Sequence, residues 1–321
     1  MMKTAATAEA EVAPVESFAP SVAVEVPAAV AAAPSKFADY LELTKPRIAV
    51  MALFTVAIGY LLAAGGEVRA VVLLHTLFGA GLVAAGGSAL NQWLERRIDA
   101  RMNRTMKRPL PAGRLSSAEA LVFGVGLSVV GLAYLVLTVP PAAAVAAAVT
   151  LVSYVAVYTP LKTVTAWNTL VGAVPGALPP VIGWCAARGW EDVAGSSGLF
   201  LILFLWQVPH FLAIAWMYRD DYARGGLRML PGADPSGGLT AAVMILTCVV
   251  LIPASLLPVW LGGAGVVYAV AAVAFGLLFL RSAVRFEHTR TDRQARTVLR
   301  ASLLYLPGVL GVLLIDALLR G

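Results

Sequence analysis

Apolar residues in this chain neither alternate with polar ones nor recur at simple helical spacing. They run almost unbroken, at roughly 48–64, 71–94, 118–137, 141–158, 168–186, 198–217, 239–260, 262–281 and 302–319. A helix that crosses a bilayer needs about 20 mostly apolar residues, so the pattern predicts nine spans. A transmembrane barrel would instead show segments of about ten residues with strict alternation, and these are missing. Helices satisfy their own backbone groups in lipid. The predicted fold class is therefore an all-α integral membrane protein.

Composition agrees. The chain is 60% hydrophobic and 13% charged, with a mean hydropathy of +0.82. A soluble domain carries about 25% charged residues, so a soluble enzyme is excluded. Residues 1–36 differ from the rest: they are rich in Ala and Pro and carry Glu9, Glu11, Glu16 and Glu25. That composition buries too little surface to fold, and it is acidic where a mitochondrial transit peptide is basic. A disordered tail, 1–36, is expected ahead of a transmembrane domain, 37–321. Cys185 and Cys248 both lie inside apolar runs, which leaves no disulfide framework and no cysteine zinc site.

Lysine and arginine are distributed by side. If the runs alternate across the bilayer, 21 of the 24 fall on the side of the N-terminus, leaving Arg69, Arg188 and Arg320 opposite. By the positive-inside rule the N-terminus is expected in the cytoplasm and the C-terminus outside. The charge is shared among loops facing the bilayer surface, and no nucleic-acid partner is expected. Most runs hold no ionisable group, whereas polar residues gather at the cytoplasmic ends of the second, fourth, fifth and sixth. A carrier would more often place ionisable groups near the midplane. The pattern points to a site opening at the cytoplasmic surface.

The densest such segment is NQWLERRIDARMNRTMKRPLP, Asn91 to Pro111. Asn91, Glu95 and Asp99 stand four residues apart, so on a helix they share one face. Hard divalent cations take oxygen ligands, and Mg²⁺ is commonly held by one or two carboxylates plus substrate phosphates. Arg101, Arg104, Lys107 and Arg108 follow, and basic side chains match phosphate oxygens.

Five segments in order carry a resemblance: LTKPRI from Leu43, the Asn91–Pro111 segment, YTPLKTVTAWN from Tyr158, WQVPHF from Trp206 and YRDDYARGGLRMLP from Tyr218. Together they resemble the protoheme IX farnesyltransferase (heme O synthase) family of the UbiA superfamily of membrane prenyltransferases, from about residue 37 to the C-terminus. The resemblance implies a UbiA-type nine-helix bundle with a central cavity, located in the bacterial inner membrane. It implies transfer of farnesyl from farnesyl diphosphate to a vinyl group of heme B, with water addition, giving heme O for terminal oxidases. Heme A synthase or terminal-oxidase assembly factors are the partners it suggests. Mg²⁺ is the implied cofactor, held by Asn91, Glu95, Asp99 and Asp221. Lys162 and His210 complete the implied catalytic set. Lys45, Arg47, Arg101, Arg108, Tyr158, Asn168 and Asp220 would bind the diphosphate or the heme, and the arginines from Arg281 to Arg300 its propionates. The sequence departs from the superfamily at the second aspartate motif: Met217 stands four residues before Asp221, with Asp220 adjacent. Other readings stay open from residues alone. They are a UbiA-type enzyme with an aromatic or chlorin acceptor, a carrier, and a heme-handling protein without catalysis.

Overall fold

The computed structural model describes residues 35–320. The expected acidic tail lies outside the described residues except for its last two. There, the Ser35 hydroxyl accepts from the Ala38 amide at 3.3 Å and caps a short helix, Lys36–Leu43.

Nine helices among the described residues are long and apolar enough to cross a membrane: Pro46–Ala64, Ala70–Asp99, Ser117–Thr138, Pro141–Leu161, Asn168–Arg188, Ala194–Met217, Gly238–Trp260, Val266–Thr289 and Asp292–Arg320. They are called the first to ninth spans below. Among the described residues there is no strand. Local chemistry sets several boundaries. Proline, which lacks an N–H and is tolerated in a first turn, opens the first and fourth spans at Pro46 and Pro141. Ser116 and Glu119 form a reciprocal capping box at the start of the third. Pro179 breaks the fifth span into Asn168–Ala177 and Pro179–Arg188. In the fourth span, Ser153–Tyr158 forms a turn of π-helix, a widening often found at functional sites.

One predicted boundary is corrected. The basic stretch Arg281–Arg300 was expected to be a loop, with spans at 262–281 and 302–319. Instead it is a helical hairpin: the eighth span runs on to Thr289 and the ninth starts at Asp292, turning at Arg290 with φ 48°. Arginine is a good helix former, so charge ended the apolar run without ending the helix. The eighth span also starts later than expected, because Gly262, with φ 77°, belongs to the preceding turn.

The fifth and sixth spans have 61% of their core windows buried, against 28–39% for the other seven, so these two form the centre and the rest face lipid on one side. One apolar cluster unites the first to fifth spans and another the fifth to ninth. The first and fifth spans approach so closely that a Cβ at Gly59 would strike the Pro180 carbonyl, and one at Gly183 the Val56 carbonyl. Close packing recurs at four other glycines. Gly86 backs onto Ser128 of the third span, Gly87 onto Leu151 and Tyr154, Gly172 onto the Tyr158 ring and Gly176 onto Gln207. Cys185 and Cys248 are buried free thiols. Because spans alternate, the C-terminal ends of the second, fourth, sixth and eighth lie on one side, and the site is built there.

Candidate functional site

The second span continues past its apolar stretch as one helix to Asp99. Asn91, Glu95 and Asp99 lie on its inner face and are 1%, 7% and 0% exposed, so none of them is a solvated surface charge. Each is met by a cation from another segment. Lys45 Nζ donates to Asn91 Oδ1 at 2.9 Å. Lys162 Nζ donates to Glu95 Oε1 at 2.7 Å, and Arg108 to Asp99 Oδ2 at 2.8 Å.

Neighbours hold this face in place. Asn91 Nδ2 donates to Thr159 Oγ1 at 3.0 Å, and that hydroxyl donates to the Tyr154 carbonyl at 2.8 Å. The π-turn of the fourth span thus fixes which end of the amide faces Lys45. Lys162 lies over the Tyr158 ring, 4.6 Å from its centroid. The Asp99 carbonyl accepts from the Thr105 hydroxyl at 3.0 Å, which curls the following loop back onto the helix end.

Lys45 has φ 49° and ψ 59°, a left-handed conformation uncommon for a residue with a side chain. Backbone strain of this kind persists where surrounding structure over-determines it. Burial, then the charges of Arg108 and Lys162, pull the Lys45 pKa down to about 7, against the opposing pull of Glu95 and Asp99. Three basic side chains crowd one buried oxygen face, and an entering polyanion would favour the charged form of each.

The remaining predicted residues divide. Arg108, Lys45, Lys162 and Tyr158 meet at this face as described. Asp221 is buried but its carboxylate is turned to the loop after the second span. Oδ1 accepts from the Asn103 amide at 2.8 Å and from Arg224 at 2.6 Å, and Oδ2 accepts from the Arg104 amide at 3.2 Å. Burial alone would raise the pKa of Asp221; those three donors outweigh it and hold it below the ordinary carboxylate value. Here Asp221 ties two loops together, and among the described residues no hydrogen bond joins it to Asn91, Glu95 or Asp99. Asp220 is exposed. Asn168 also acts as a tie, its Nδ2 donating to the carbonyls of Thr165 and Arg228, both at 2.7 Å. The Arg228 amide in turn donates to the Lys162 carbonyl at 2.7 Å. His210 faces the ninth span: its Nδ1 is 2.8 Å from Ser302 Oγ, and its ring packs on Trp206. Arg47 and Arg101 are exposed, and their side chains have no hydrogen bond or ion pair among the described residues. The arginines Arg281, Arg285 and Arg300, expected to meet propionates, line a groove between the eighth and ninth spans.

Sequence reasoning missed Thr159 and Arg114. A hydroxyl beside Pro160 near the end of an apolar run was the available signal for Thr159. Arg114 bridges Asp39 at 2.7 Å and Glu42 at 3.0 Å, fastening the loop after the second span to the N-terminal helix. Its partners lie over 70 residues away, and no local pattern announces them.

Among the described residues no three His, Cys, Asp or Glu side chains converge as a ready-made metal cage. The second-span face offers an amide oxygen and two carboxylates, and Asp99 Oδ1 is buried with no hydrogen-bond partner. That orphaned acceptor and the hard-oxygen donor set fit a divalent cation whose remaining ligands come from a bound phosphate.

The chain matches the family model described as UbiA prenyltransferase family over residues 52–305. It is 49% identical over 287 residues to the protoheme IX farnesyltransferase of Solibacter usitatus, covering 87% of this chain and 98% of that one. It is 45% identical over 285 residues to the enzyme of the same name from Opitutus terrae, covering 88% and 96%. Among solved structures it is similar to a digeranylgeranylglyceryl phosphate synthase, with a TM-score of 0.72 and 20% identity over 88% of this chain and 98% of that one. A UbiA homolog from Aeropyrum pernix K1 gives a TM-score of 0.68 and 19% identity over 84% and 97%. A UbiA homolog from Archaeoglobus fulgidus bound to DMAPP and Mg²⁺ gives 0.64 and 15% over 86% and 99%. At these identities the solved structures speak for the fold alone.

Proposed function

The chain belongs to the UbiA prenyltransferase family, and from that premise we propose that it transfers the farnesyl group of farnesyl diphosphate to a vinyl group of heme B, with addition of water, giving heme O. The acceptor and donor follow the name shared by its relatives at 45–49% identity. The observation that carries the reading is the convergence of Lys45, Arg108 and Lys162 on the buried Asn91–Glu95–Asp99 face. An apolar bundle that ends in such a cluster suits an amphiphile with a polyanionic head.

Farnesyl is an uncharged chain that can lie among the spans, while its diphosphate stays at the cluster. When the diphosphate enters, Lys45 and Lys162 exchange an amide and a carboxylate for phosphate oxygens, as does Arg108, whose planar fork suits such oxygens. Asn91, Glu95 and Asp99 are the residues that would hold Mg²⁺, which supplies charge neutralisation on the departing diphosphate. Preorganised cations stabilise that developing charge without reorganising at the moment of reaction. The C–O bond to diphosphate breaks as the farnesyl carbon bonds to the terminal vinyl carbon. The positive charge passes to the other vinyl carbon, which takes hydroxide from water, and a proton is released. Apolar walls keep water from the allylic carbon before the vinyl group reaches it. Asp221 and Asn168 act by holding the loops after the second, fourth and sixth spans against one another. The lysine and arginine asymmetry supports a cytoplasmic N-terminus, and an inner-membrane location accords with the bacterial relatives.

Membranes containing the protein, incubated with heme B, farnesyl diphosphate and Mg²⁺, are expected to yield an extracted heme heavier by farnesyl plus water. Unmodified heme, from protein shown to be folded and to bind both substrates, would overturn the reading.

A further inference from the structure

A groove of about 310 Å³ runs between the eighth and ninth spans. Phe275, Leu278 and Leu304 line its apolar part, and Arg281, Arg285 and Arg300 its polar part. Leu278, Arg281 and Arg285 share one face of the eighth span, while Arg300 and Leu304 share the facing side of the ninth. The three arginines are exposed, and none has a side-chain hydrogen bond or ion pair among the described residues. The nearby acids are engaged elsewhere, Glu287 with Arg290 and Asp292 with Arg219.

Depth matters as well as charge. Arg281 and Arg300 each lie eight residues from the hairpin end of their helix, about 12 Å at 1.5 Å per residue. Toward the bilayer the surface turns apolar at once: Leu277, Leu278, Leu303 and Leu304 are 51–57% exposed. The arginines therefore stand at the boundary between hydrocarbon and headgroups. A topology signal alone needs positive charge somewhere on this hairpin. It does not need three guanidinium groups facing one groove, and Arg293 and Arg296 of the same hairpin lie outside it.

We propose that this groove binds one anionic phospholipid, its phosphate gripped by Arg281, Arg285 and Arg300 and an acyl chain lying along Phe275, Leu278 and Leu304. Basic pockets between spans on the cytoplasmic side suit anionic headgroups, and guanidinium forks match phosphate oxygens. A phosphatidylcholine headgroup would bring its own cation against the arginines and binds less well. The eighth span packs on the seventh and ninth, so the groove is built from different spans than the Asn91 face.

The test uses the full chain purified in mild detergent, with dioleoyl phosphatidylglycerol or dioleoyl phosphatidylcholine added and retained lipid counted by native mass spectrometry. Wild type is expected to retain one phosphatidylglycerol at least tenfold more strongly than phosphatidylcholine. The triple variant Arg281→Gln, Arg285→Gln, Arg300→Gln loses that preference. The double variant Arg293→Gln, Arg296→Gln, which removes charge from the same hairpin outside the groove, keeps it. Leu304→Trp fills the apolar part, leaves all charges in place and weakens retention several-fold, so the inference stands or falls even if the triple variant does not fold. Equal retention of the two lipids by wild type overturns it, as does an equal loss in the double variant. Loss of heme B binding in the triple variant with phosphatidylglycerol retention intact also overturns it, and assigns the groove to the heme carboxylates.

Discussion

Two basic clusters lie on the same side of this bundle, one at the end of the second span and one on the hairpin of the eighth and ninth. At the first, Lys45, Lys162 and Arg108 each reach a buried oxygen within 2.9 Å. At the second, Arg281, Arg285 and Arg300 are exposed and reach no acid among the described residues. Both satisfy a rule that asks only for positive charge on one face of the membrane. The difference is burial and pairing. Buried charges are costly unless paired, so the fold has spent stability on the first cluster and very little on the second. The first cluster is where chemistry can be done on a polyanion. The second can only hold one at the lipid boundary.

The sharpest way to break this comparison is to remove one oxygen from each region's neighbourhood. Asp99→Asn is expected to cut heme modification roughly a hundredfold or more, the scale of losing a preorganised transition-state partner. Thr297→Val, in the groove of the eighth and ninth spans, is expected to leave the rate within about threefold, a loss under one neutral hydrogen bond's worth. Product mass and turnover of the two variants check both.

A second pair uses glycines. A Cβ at Gly172 would enter the Tyr158 ring and displace it from Lys162, whereas one at Gly308 would press on Phe275 of the eighth span. Both substitutions to Ala are expected to destabilise by about 1–3 kcal/mol, the usual cost of overpacking. Only Gly172→Ala should also slow turnover, by about tenfold. Equal loss of activity in the two would remove the distinction between the regions.

Thr159→Val tests how the first face is positioned. It keeps the shape but deletes the acceptor of Asn91 Nδ2. A lost hydrogen bond of about 1 kcal/mol predicts a fall in activity of roughly fivefold with an almost unchanged melting temperature. Asn should not rescue it, and Ser should.

The smallest effect is on acid stability. Asp234 caps the seventh span close to the hairpin, its oxygens accepting from Ser236 at 2.9 Å and from the Thr240 amide at 2.7 Å. Burial opposes ionisation, but those hydrogen bonds prevail and hold its pKa below the usual value. A depressed carboxyl contributes stability above its unfolded pKa of about 3.9 and loses it as pH falls through the folded value. Melting temperature should therefore drop more steeply on acidification for wild type than for Asp234→Asn, with turnover at neutral pH the same in both.

Much of this was readable in the chain. Nine spans followed from apolar run length, and the spacing of Asn91, Glu95 and Asp99 put three oxygens on one face because a helix repeats every 3.6 residues. What local spacing could not supply were partners distant in sequence. Lys45 and Arg47 flank the same proline and look alike, yet a left-handed turn sends Lys45 to Asn91 while Arg47 stays exposed. Asp221 carries the charge of a metal ligand, but its destination depends on the backbone of residues 103 and 104, over a hundred positions away. The hairpin at Arg290 was hidden for another reason: a helix that leaves the hydrocarbon keeps its hydrogen bonds, so hydropathy marks the membrane boundary and not the helix end.

The most direct measurement is equilibrium binding of farnesyl thiodiphosphate, an uncleaved analogue, in the presence of Mg²⁺. The proteins compared are wild type, Lys45→Met and the triple variant at Arg281, Arg285 and Arg300. At least a tenfold weaker affinity for Lys45→Met, with the triple variant within twofold of wild type, is the predicted result. Unchanged binding in Lys45→Met, or a larger loss in the triple variant, would contradict the assignment of the diphosphate to the end of the second span.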